Sequence, residues 1–180
     1  VQYSLIDNRP ANGLAKWCDE NNIKLLCYGS LAGGLLTEHW LDQPDPGFVF
    51  ENRSLIKYRL IVDEFGGWDL FQTLLTTVKA LADKHGVSMS AVAARYVLDQ
   101  YQVSAVIIGA RYAHYLPQTL SIFELSLDSD DYAALEATLS QRHGPSGYVF
   151  ELESDRTGRH GSIMKYNLNE LPLISHSQRP

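Results

Sequence analysis

The chain has 180 residues, of which 45% are hydrophobic and 20% are charged, and its formal net charge is −6. This composition is typical of a globular domain that is large enough to bury a core. The acidic balance excludes a generally basic nucleic-acid-binding surface, and no apolar run approaches the roughly 20 residues that span a bilayer. We therefore expect neither a nucleic acid nor a membrane as a partner.

Cysteine and histidine usage gives no sign of a metal site. The two cysteines, Cys18 and Cys27, match no metal-ligand spacing, and the six histidines are scattered along the chain. We expect both cysteines to be buried, inert thiols. Such sparse cysteines are typical of a reducing compartment, so a cytoplasmic location is predicted.

The first third of the chain predicts two strands separated by a short helix. The runs VQYSLID (1–7) and IKLLCYG (23–29) favour buried parallel strands, and residues 15–22 between them form a helical pattern that ends at Asn-Asn. Residues 37–67, with PDPG near their start, are predicted to form a long irregular loop, and loops of this length are usually functional or disordered. Because the sequence starts inside a strand pattern, we expect a fragment of a longer protein.

Two further helices are predicted before the next strand. Apolar residues recur at helical spacing through 69–85, and His85-Gly86 supplies a stop signal. Ser88 has the side chain and the position of an N-cap for the second helix. The run VSAVIIG (103–109) then predicts a third buried parallel strand.

A last helix is predicted to begin at Asp128 or Ser129, either of which is a good N-cap. Strands that alternate with helices predict a parallel α/β protein with right-handed crossovers. Three strands fit an open sheet or an arc of a barrel, and the pattern does not decide between them. We assign residues 1–143 to this domain and residues 144–180, which are polar and interrupted by glycines, to a mostly irregular C-terminal extension.

Glycine-containing loops follow two of the predicted strands. One is GSLAGG at 29–34, and the other is GAR at 109–111. Ligand phosphates bind at the carboxyl ends of parallel strands, and glycines let the backbone approach them closely. The first loop lacks a full Gly-x-Gly-x-x-Gly fingerprint and a Walker lysine, so a tight, closely packed turn is the other interpretation. Arg111 offers a charged fork for a phosphate, or else is a solvated surface residue.

Three blocks carry a family resemblance: VQYSLIDNRP, IKLLCYGSLAGGLLTE and VAARYVLDQYQVSAVIIGAR. In order and spacing they resemble the last three strand-helix units of an aldo-keto reductase, over about residues 1–140. That family is an eight-stranded barrel that reduces carbonyl compounds with a nicotinamide cofactor, usually NADPH. The resemblance implies an α/β fold that is a partial TIM (β/α)8 barrel, with strands six to eight only and helices outside a parallel sheet. An unrelated open α/β domain is the remaining alternative.

The resemblance assigns the nicotinamide end of a cofactor site to two residues. Gln2 matches the glutamine whose amide hydrogen-bonds the nicotinamide carboxamide, and Tyr28 matches the aromatic ring that stacks on the nicotinamide. Taken alone, they are also compatible with an ordinary strand glutamine and a core tyrosine. The loop that covers the pyrophosphate is matched by Gly29, Ser30, Leu31, Ala32 and Gly33. Where relatives often have Ser-Pro-Leu-Gly, this chain has Gly-Ser-Leu-Ala.

The adenosine end is assigned by the same resemblance. Gly109 and Arg111 match the segment that holds the adenosine 2′-phosphate, which favours NADP(H) over NAD(H). Tyr115 and Gln118 match positions that contact that phosphate and the adenine, and Thr119 stands where many relatives have an asparagine that reads the adenine edge. Arg53 and Lys57, in the predicted loop, are candidates to clamp the phosphates or form a solvated basic patch.

The family's catalytic aspartate, tyrosine, lysine and histidine lie on strands that precede the matched blocks, so no catalytic residue is assigned here. We expect NADPH-dependent reduction of an aldehyde or ketone, with this chain supplying the cofactor-binding part and being inactive alone. The alternative is a catalytically inactive, nucleotide-binding or regulatory short form. The expected partner is a small-molecule carbonyl substrate.

Overall fold

The computed structural model describes residues 1–50, 53–110 and 112–164. Its strands and helices in chain order are α1 (Leu14–Glu20), β1 (Leu25–Tyr28), α2 (Arg53–Phe65), α3 (Gly67–His85), α4 (Met89–Leu98), β2 (Val103–Ile107), α5 (Leu116–Leu120), α6 (Ser129–Leu139) and α7 (Glu151–Ser154). The fold is α/β, with a small parallel sheet and surrounding helices. Every helix in the described ranges is too short or too polar to cross a bilayer.

The sheet pairs β1 with β2 in parallel, with Cys27 opposite Val106 and Tyr28 opposite Ile107. The amino-terminal segment adds to the other side of β1, where Gln2 forms an isolated parallel bridge to Tyr28. The three apolar runs therefore lie side by side, with β1 in the middle.

The first predicted strand is shorter than expected. Ser4 and Asp7 exchange backbone hydrogen bonds, N to O, of 3.0 and 3.2 Å, so the chain turns back on itself. The prediction of a strand through residue 7 is wrong because this local turn satisfies backbone groups that a longer strand would have paired with β1. The turn also places the Asp7 side chain inside the molecule, where it is fully buried.

One face of the sheet packs on helices and the other is open. Leu25 and Cys27 point into the core, together with the apolar stripes of α3 and α4. On the opposite face Leu26 and Ile107 are each 58% exposed. Because successive residues of a strand point to opposite faces, this one-sided burial follows directly from the pairing.

Residues 37–67 are not one irregular loop, because α2 occupies their second half. Tyr58, Ile61, Val62 and Phe65 are all buried and lie at helical spacing, which is the pattern of an amphipathic helix. The sequence-based prediction of an irregular segment is therefore wrong for this half, and α2 packs over the loop that follows β1.

The predicted helix ends are confirmed. Gly86 ends α3 in the left-handed conformation at φ +64°, and the Ser88 side chain accepts a hydrogen bond from the Ala91 N–H at the start of α4. Asp128, rather than Ser129, is the N-cap of α6, and it forms a capping box with Asp131.

The described part of the C-terminal extension packs against α2 and the amino-terminal segment. Arg159 pairs with Asp63 at 2.7 Å, and His160 Nε2 lies 3.1 Å from Glu64 Oε1. The short helix α7 buries Glu153. The extension is therefore a packed layer as far as residue 164. A domain boundary at 143/144 stays a prediction, and residues 165–180 lie outside the described residues.

Candidate functional site

The carboxyl ends of the paired segments bring the predicted site residues to one edge of the sheet. Tyr28 is the last residue of β1, and its backbone N–H donates to the carbonyl of Val1 at 2.9 Å, which fixes Gln2 beside it. The glycine turn follows Tyr28 directly, and Gly109 lies two residues beyond the end of β2. Arg111 lies outside the described residues.

Tyr58 of α2 packs against the glycine turn. A Cβ atom added to Gly29 would lie 2.6 Å from the Tyr58 hydroxyl, and one added to Gly33 would lie 2.6 Å from the Tyr58 ring. Both glycines have positive φ, at +70° and +68°. The turn is thus tight and closely packed, as expected if it serves only as a turn. Tyr58 covers part of it and blocks the approach of a ligand from that side.

Two adjoining cavities nevertheless open along this edge. The first, of about 370 Å³, is lined by Gly29, Ser30, Leu31, Gly33, Gly34, Tyr58, Ile107, Ile108 and Gly109. The second, of about 390 Å³, is lined by Leu31, Gly34, Thr37, Glu38, His39, Ser90, Ile108, Gly109, Tyr115, Gln118 and Thr119. Each has the size of a small-ligand site. Of the predicted pyrophosphate and adenosine residues that the structure describes, all line one or both of these cavities except Ala32, which is fully buried.

The Gln2 side chain is buried and only half satisfied. It is 3% exposed, and its amide nitrogen Nε2 donates to Asp7 Oδ2 at 2.7 Å. Its carbonyl oxygen Oε1 is buried without a hydrogen-bond partner in the part of the chain that the structure describes. Buried polar atoms are nearly always paired, so an orphaned acceptor at this edge indicates a missing donor.

A buried ion network surrounds that glutamine. Arg9 donates from Nε and Nη2 to the two carboxylate oxygens of Asp7, at 2.9 and 2.8 Å. From Nη1 and Nη2 it also donates to Glu153 of α7, at 3.0 and 2.9 Å. Burial alone would lower the pKa of Arg9, but these hydrogen bonds outweigh it and raise that pKa. Burial opposes ionisation of Glu153, yet Arg9 holds the pKa of Glu153 below its usual value.

Lys57 of α2 covers one face of the Tyr28 ring. Its Nζ lies 5.3 Å from the centre of the Tyr28 ring and 5.4 Å from that of Tyr58. Burial lowers the pKa of Lys57 and raises that of Tyr28, while burial with the nearby Tyr28 and Asp7 raises the pKa of Tyr58 to about 12. Arg53 instead donates to the Ile163 carbonyl at 3.1 Å, so the structure brings Lys57 but not Arg53 to the edge.

Sequence reasoning missed Tyr58, Asp7, Arg9 and Glu153. The first is signalled by the helical spacing within α2. Asp7 and Arg9 follow a predicted strand, where polar residues are a usual sign of a site. Glu153 has no local signal, because 144 residues separate it from Arg9. No cluster suited to a metal ion occurs among residues 1–50, 53–110 and 112–164.

The chain belongs to the aldo/keto reductase family, whose model matches residues 1–140. Among curated proteins it is 28% identical over 151 residues to the aldo-keto reductase YhdN of Bacillus subtilis, covering 79% of this chain and 43% of YhdN. It is also 35% identical over 102 residues to flagellar radial spoke protein 5 of Chlamydomonas reinhardtii, covering 55% of this chain and 19% of that protein. The chain thus spans less than half the length of these relatives.

Solved structures show the same fold. The glycerol dehydrogenase AKR11B4 from Gluconobacter oxydans superposes with a TM-score of 0.64 at 24% identity, over 81% of this chain and 43% of its own. The thermostable aldo-keto reductase Tm1743 superposes with a TM-score of 0.50 at 20% identity, over 77% of this chain and 38% of its own. The α/β fold of this chain is therefore similar to that of aldo-keto reductase barrels.

Proposed function

We propose that the protein reduces an aldehyde or ketone with NADPH and that this chain supplies the cofactor-binding part. In this proposal residues 1–143 form strands six to eight of a (β/α)8 barrel with their helices, and the open sheet face of Leu26 and Ile107 meets the remaining strands. Family membership supports the reductase class. The partial coverage of the relatives supports the incomplete barrel.

The observation that carries the proposal is the orphaned carbonyl oxygen of Gln2. This oxygen is buried, and Gln2 pairs with Tyr28, which directly precedes the glycine turn that lines the first cavity. The donor that this oxygen lacks fits the amide N–H of a nicotinamide carboxamide, since an amide carbonyl is a strong acceptor. When bound, NADPH would supply the hydride.

The remaining residues would hold the rest of the cofactor. The turn at Gly29, Ser30 and Gly33 faces the cavity next to Tyr28, where the pyrophosphate would bind, while Tyr115 and Gln118 face the adjoining cavity, where the adenosine would bind. Stacking of the nicotinamide on the Tyr28 face that Lys57 covers requires the Lys57 side chain to move. The proton donor and the other catalytic groups are assigned to no residue of this chain.

Cofactor titration of the intact protein that carries this chain tests the proposal. Quenching of tryptophan fluorescence should show tighter binding of NADPH than of NADH, because the 2′-phosphate adds charge that a guanidinium recognises. Arg111→Ala should weaken NADPH binding more than NADH binding, and aldehydes or ketones should be reduced at the expense of NADPH.

The matched control is Lys16→Ala, which removes one positive charge from a side chain that is 80% exposed on α1. It should leave both affinities unchanged. Equal loss of NADPH and NADH affinity in Arg111→Ala would remove the assigned role of Arg111. Absence of binding of either cofactor would overturn the proposal as a whole.

A nucleotide-binding protein without turnover is the second candidate. Two observations favour it: Lys57 covers Tyr28 in the structure, and a radial spoke protein is among the relatives. NADPH binding without reduction of any carbonyl compound by the intact protein would support this candidate. For either function we propose a cytoplasmic location, because Cys18 and Cys27 are both buried free thiols.

A further inference from the structure

We propose that Glu153, in the C-terminal extension, is a positioning residue for the nicotinamide end of the site and acts on Gln2 through Arg9 and Asp7. This inference rests on the proposed function, because it assigns a ligand to Gln2. It makes the extension part of the cofactor site rather than a surface layer. The described contacts carry it in three steps.

The first step is the orientation of the Gln2 amide. Asp7 Oδ2 accepts a hydrogen bond from Gln2 at 2.7 Å, and a carboxylate can only accept. The amide nitrogen must therefore point towards Asp7, and the carbonyl oxygen must point away from it. Gln2 is thereby offered to a ligand as an acceptor, in one orientation.

The second step is the fixed position of Asp7. Its two carboxylate oxygens accept from Nε and Nη2 of Arg9, in the bidentate geometry that aligns both planes. Oδ2 therefore serves Arg9 and Gln2 at once. Asp7 is fully buried, so no water competes for these oxygens and the position of the carboxylate depends on Arg9.

The third step is the balance of charge around Arg9. The Arg9 guanidinium, 3% exposed, lies between Asp7 and Glu153 and donates two hydrogen bonds to each. If Glu153 loses its charge, Arg9 keeps only one carboxylate partner in a buried setting. Removing one partner of a buried ion pair leaves the other charge uncompensated. The bidentate contact between Arg9 and Asp7, and with it the orientation of the Gln2 amide, should then lose its fixed geometry.

Measuring the binding of each half of the cofactor separately distinguishes this role from a general effect on folding. The probes are reduced nicotinamide mononucleotide and 2′,5′-ADP, titrated against the intact protein that carries this chain. Glu153→Gln should weaken the binding of reduced nicotinamide mononucleotide about three- to tenfold, which corresponds to the loss of one hydrogen bond. It should leave the binding of 2′,5′-ADP unchanged. Glu153→Asp, which keeps the charge on a shorter side chain, should weaken binding of the nicotinamide probe less.

Two comparisons make the result specific. Glu151→Gln removes the same charge from the same helix, where Glu151 accepts from the Tyr148 backbone N–H and not from Arg9, and it should leave both probes unchanged. In a Gln2→Ala background, Glu153→Gln should have no further effect on the nicotinamide probe, because the residue through which it acts is gone.

The outcomes distinguish this inference from the proposed function. Wild-type protein that binds neither probe would overturn both. Wild-type protein that binds both probes, with Glu153→Gln weakening the two equally or neither, would overturn the positioning role alone. The positioning role would also be overturned if Glu153→Gln weakened binding of the nicotinamide probe as much in the Gln2→Ala background as in the wild type. If Glu153→Gln melts below the assay temperature, Glu153→Asp decides by the same criteria.

Discussion

At the residue scale, the packing of Tyr58 determines which substitutions the glycine turn tolerates. Gly29→Ala places a Cβ 2.6 Å from the Tyr58 hydroxyl, whereas the next nearest Tyr58 atoms are at 3.1 and 3.2 Å. The substitution should lower the free energy of unfolding by about 1–2 kcal/mol for the left-handed backbone and about 1–3 kcal/mol for the clash. Tyr58→Phe in the same chain should restore most of the second part, measured by urea unfolding.

Gly47 provides the matched control for this prediction. It has a similar φ of +61°, and nothing lies within 4 Å of an added Cβ. Gly47→Ala should therefore show only the backbone part of the loss, and Tyr58→Phe should not change it. Equal losses for Gly29→Ala and Gly47→Ala would mean that Tyr58 does not pack on the turn.

At the element scale, side-chain hydrogen bonds and ion pairs connect the end of α3 to the start of α6. Lys84 Nζ donates to Asp131 at 2.7 Å and His85 Nε2 lies 2.7 Å from the other Asp131 oxygen, while Asp131 also accepts from the Asp128 N–H. The positive charge of Lys84 at the end of one helix thus meets carboxylates at the start of the next, which suits both helix dipoles. Burial opposes ionisation, but these hydrogen bonds lower the pKa of Asp131 to about 2.

The lowered pKa of Asp131 predicts how stability depends on pH. Because the folded-state pKa lies below the unfolded value of about 3.9, the stabilisation is complete above about pH 4 and is lost as the pH falls towards 2. Asp131→Asn should lower the free energy of unfolding by about 2 kcal/mol at pH 7, and its melting temperature should approach that of the wild type as the pH falls from 5 to 3.

Asp83→Asn is the control for the pH series. Asp83 pairs with Lys79 one turn away on α3, and its side chain is 65% exposed. An exposed pair of this kind contributes about 0.5 kcal/mol or less, so this variant should follow the wild type at every pH. A gap between wild type and Asp131→Asn that stays constant down to pH 3 would contradict the assigned titration.

These elements also show what local sequence patterns can predict. The ends of α3, α4 and α6 were predictable because Gly86, Ser88 and Asp128 act within a few residues of themselves. The helix α2 was missed because charged residues interrupt its apolar stripe and PDPG precedes it. The strand through residue 7 was overestimated because an apolar run does not reveal that Ser4 and Asp7 pair their backbone groups with each other.

The candidate site likewise contains residues that the sequence indicates and residues that only the packed structure reveals. The glycine turn follows a predicted strand, so a local pattern singles it out, whereas Gln2 and Tyr28 were assigned through the family resemblance. Tyr58 and Glu153 reach the same edge only after α2 and the C-terminal extension have packed. The helical spacing within α2 indicates that Tyr58 is buried, but it does not show which loop Tyr58 packs against, and the site assignment itself stays a prediction.

For the whole molecule, the open face of the sheet determines behaviour in solution. Leu26 and Ile107 are exposed on neighbouring strands, and exposed apolar patches on sheets promote association. We predict that the chain expressed alone dimerises or aggregates with rising concentration, as measured by size-exclusion chromatography with light scattering. Leu26→Lys combined with Ile107→Lys should shift the distribution towards monomer, because two positive charges on this face repel a second copy.

Val49→Lys is the matched control, since Val49 is 88% exposed and lies outside the sheet. It adds one positive charge at an exposed apolar position away from the open face and should leave the association unchanged. If the unmodified chain is instead monomeric at all concentrations and melts cooperatively, its sheet face needs no further strands to cover it. That result would count directly against the placement of residues 1–143 within an incomplete barrel, because such a barrel must present this face to strands of the remaining part.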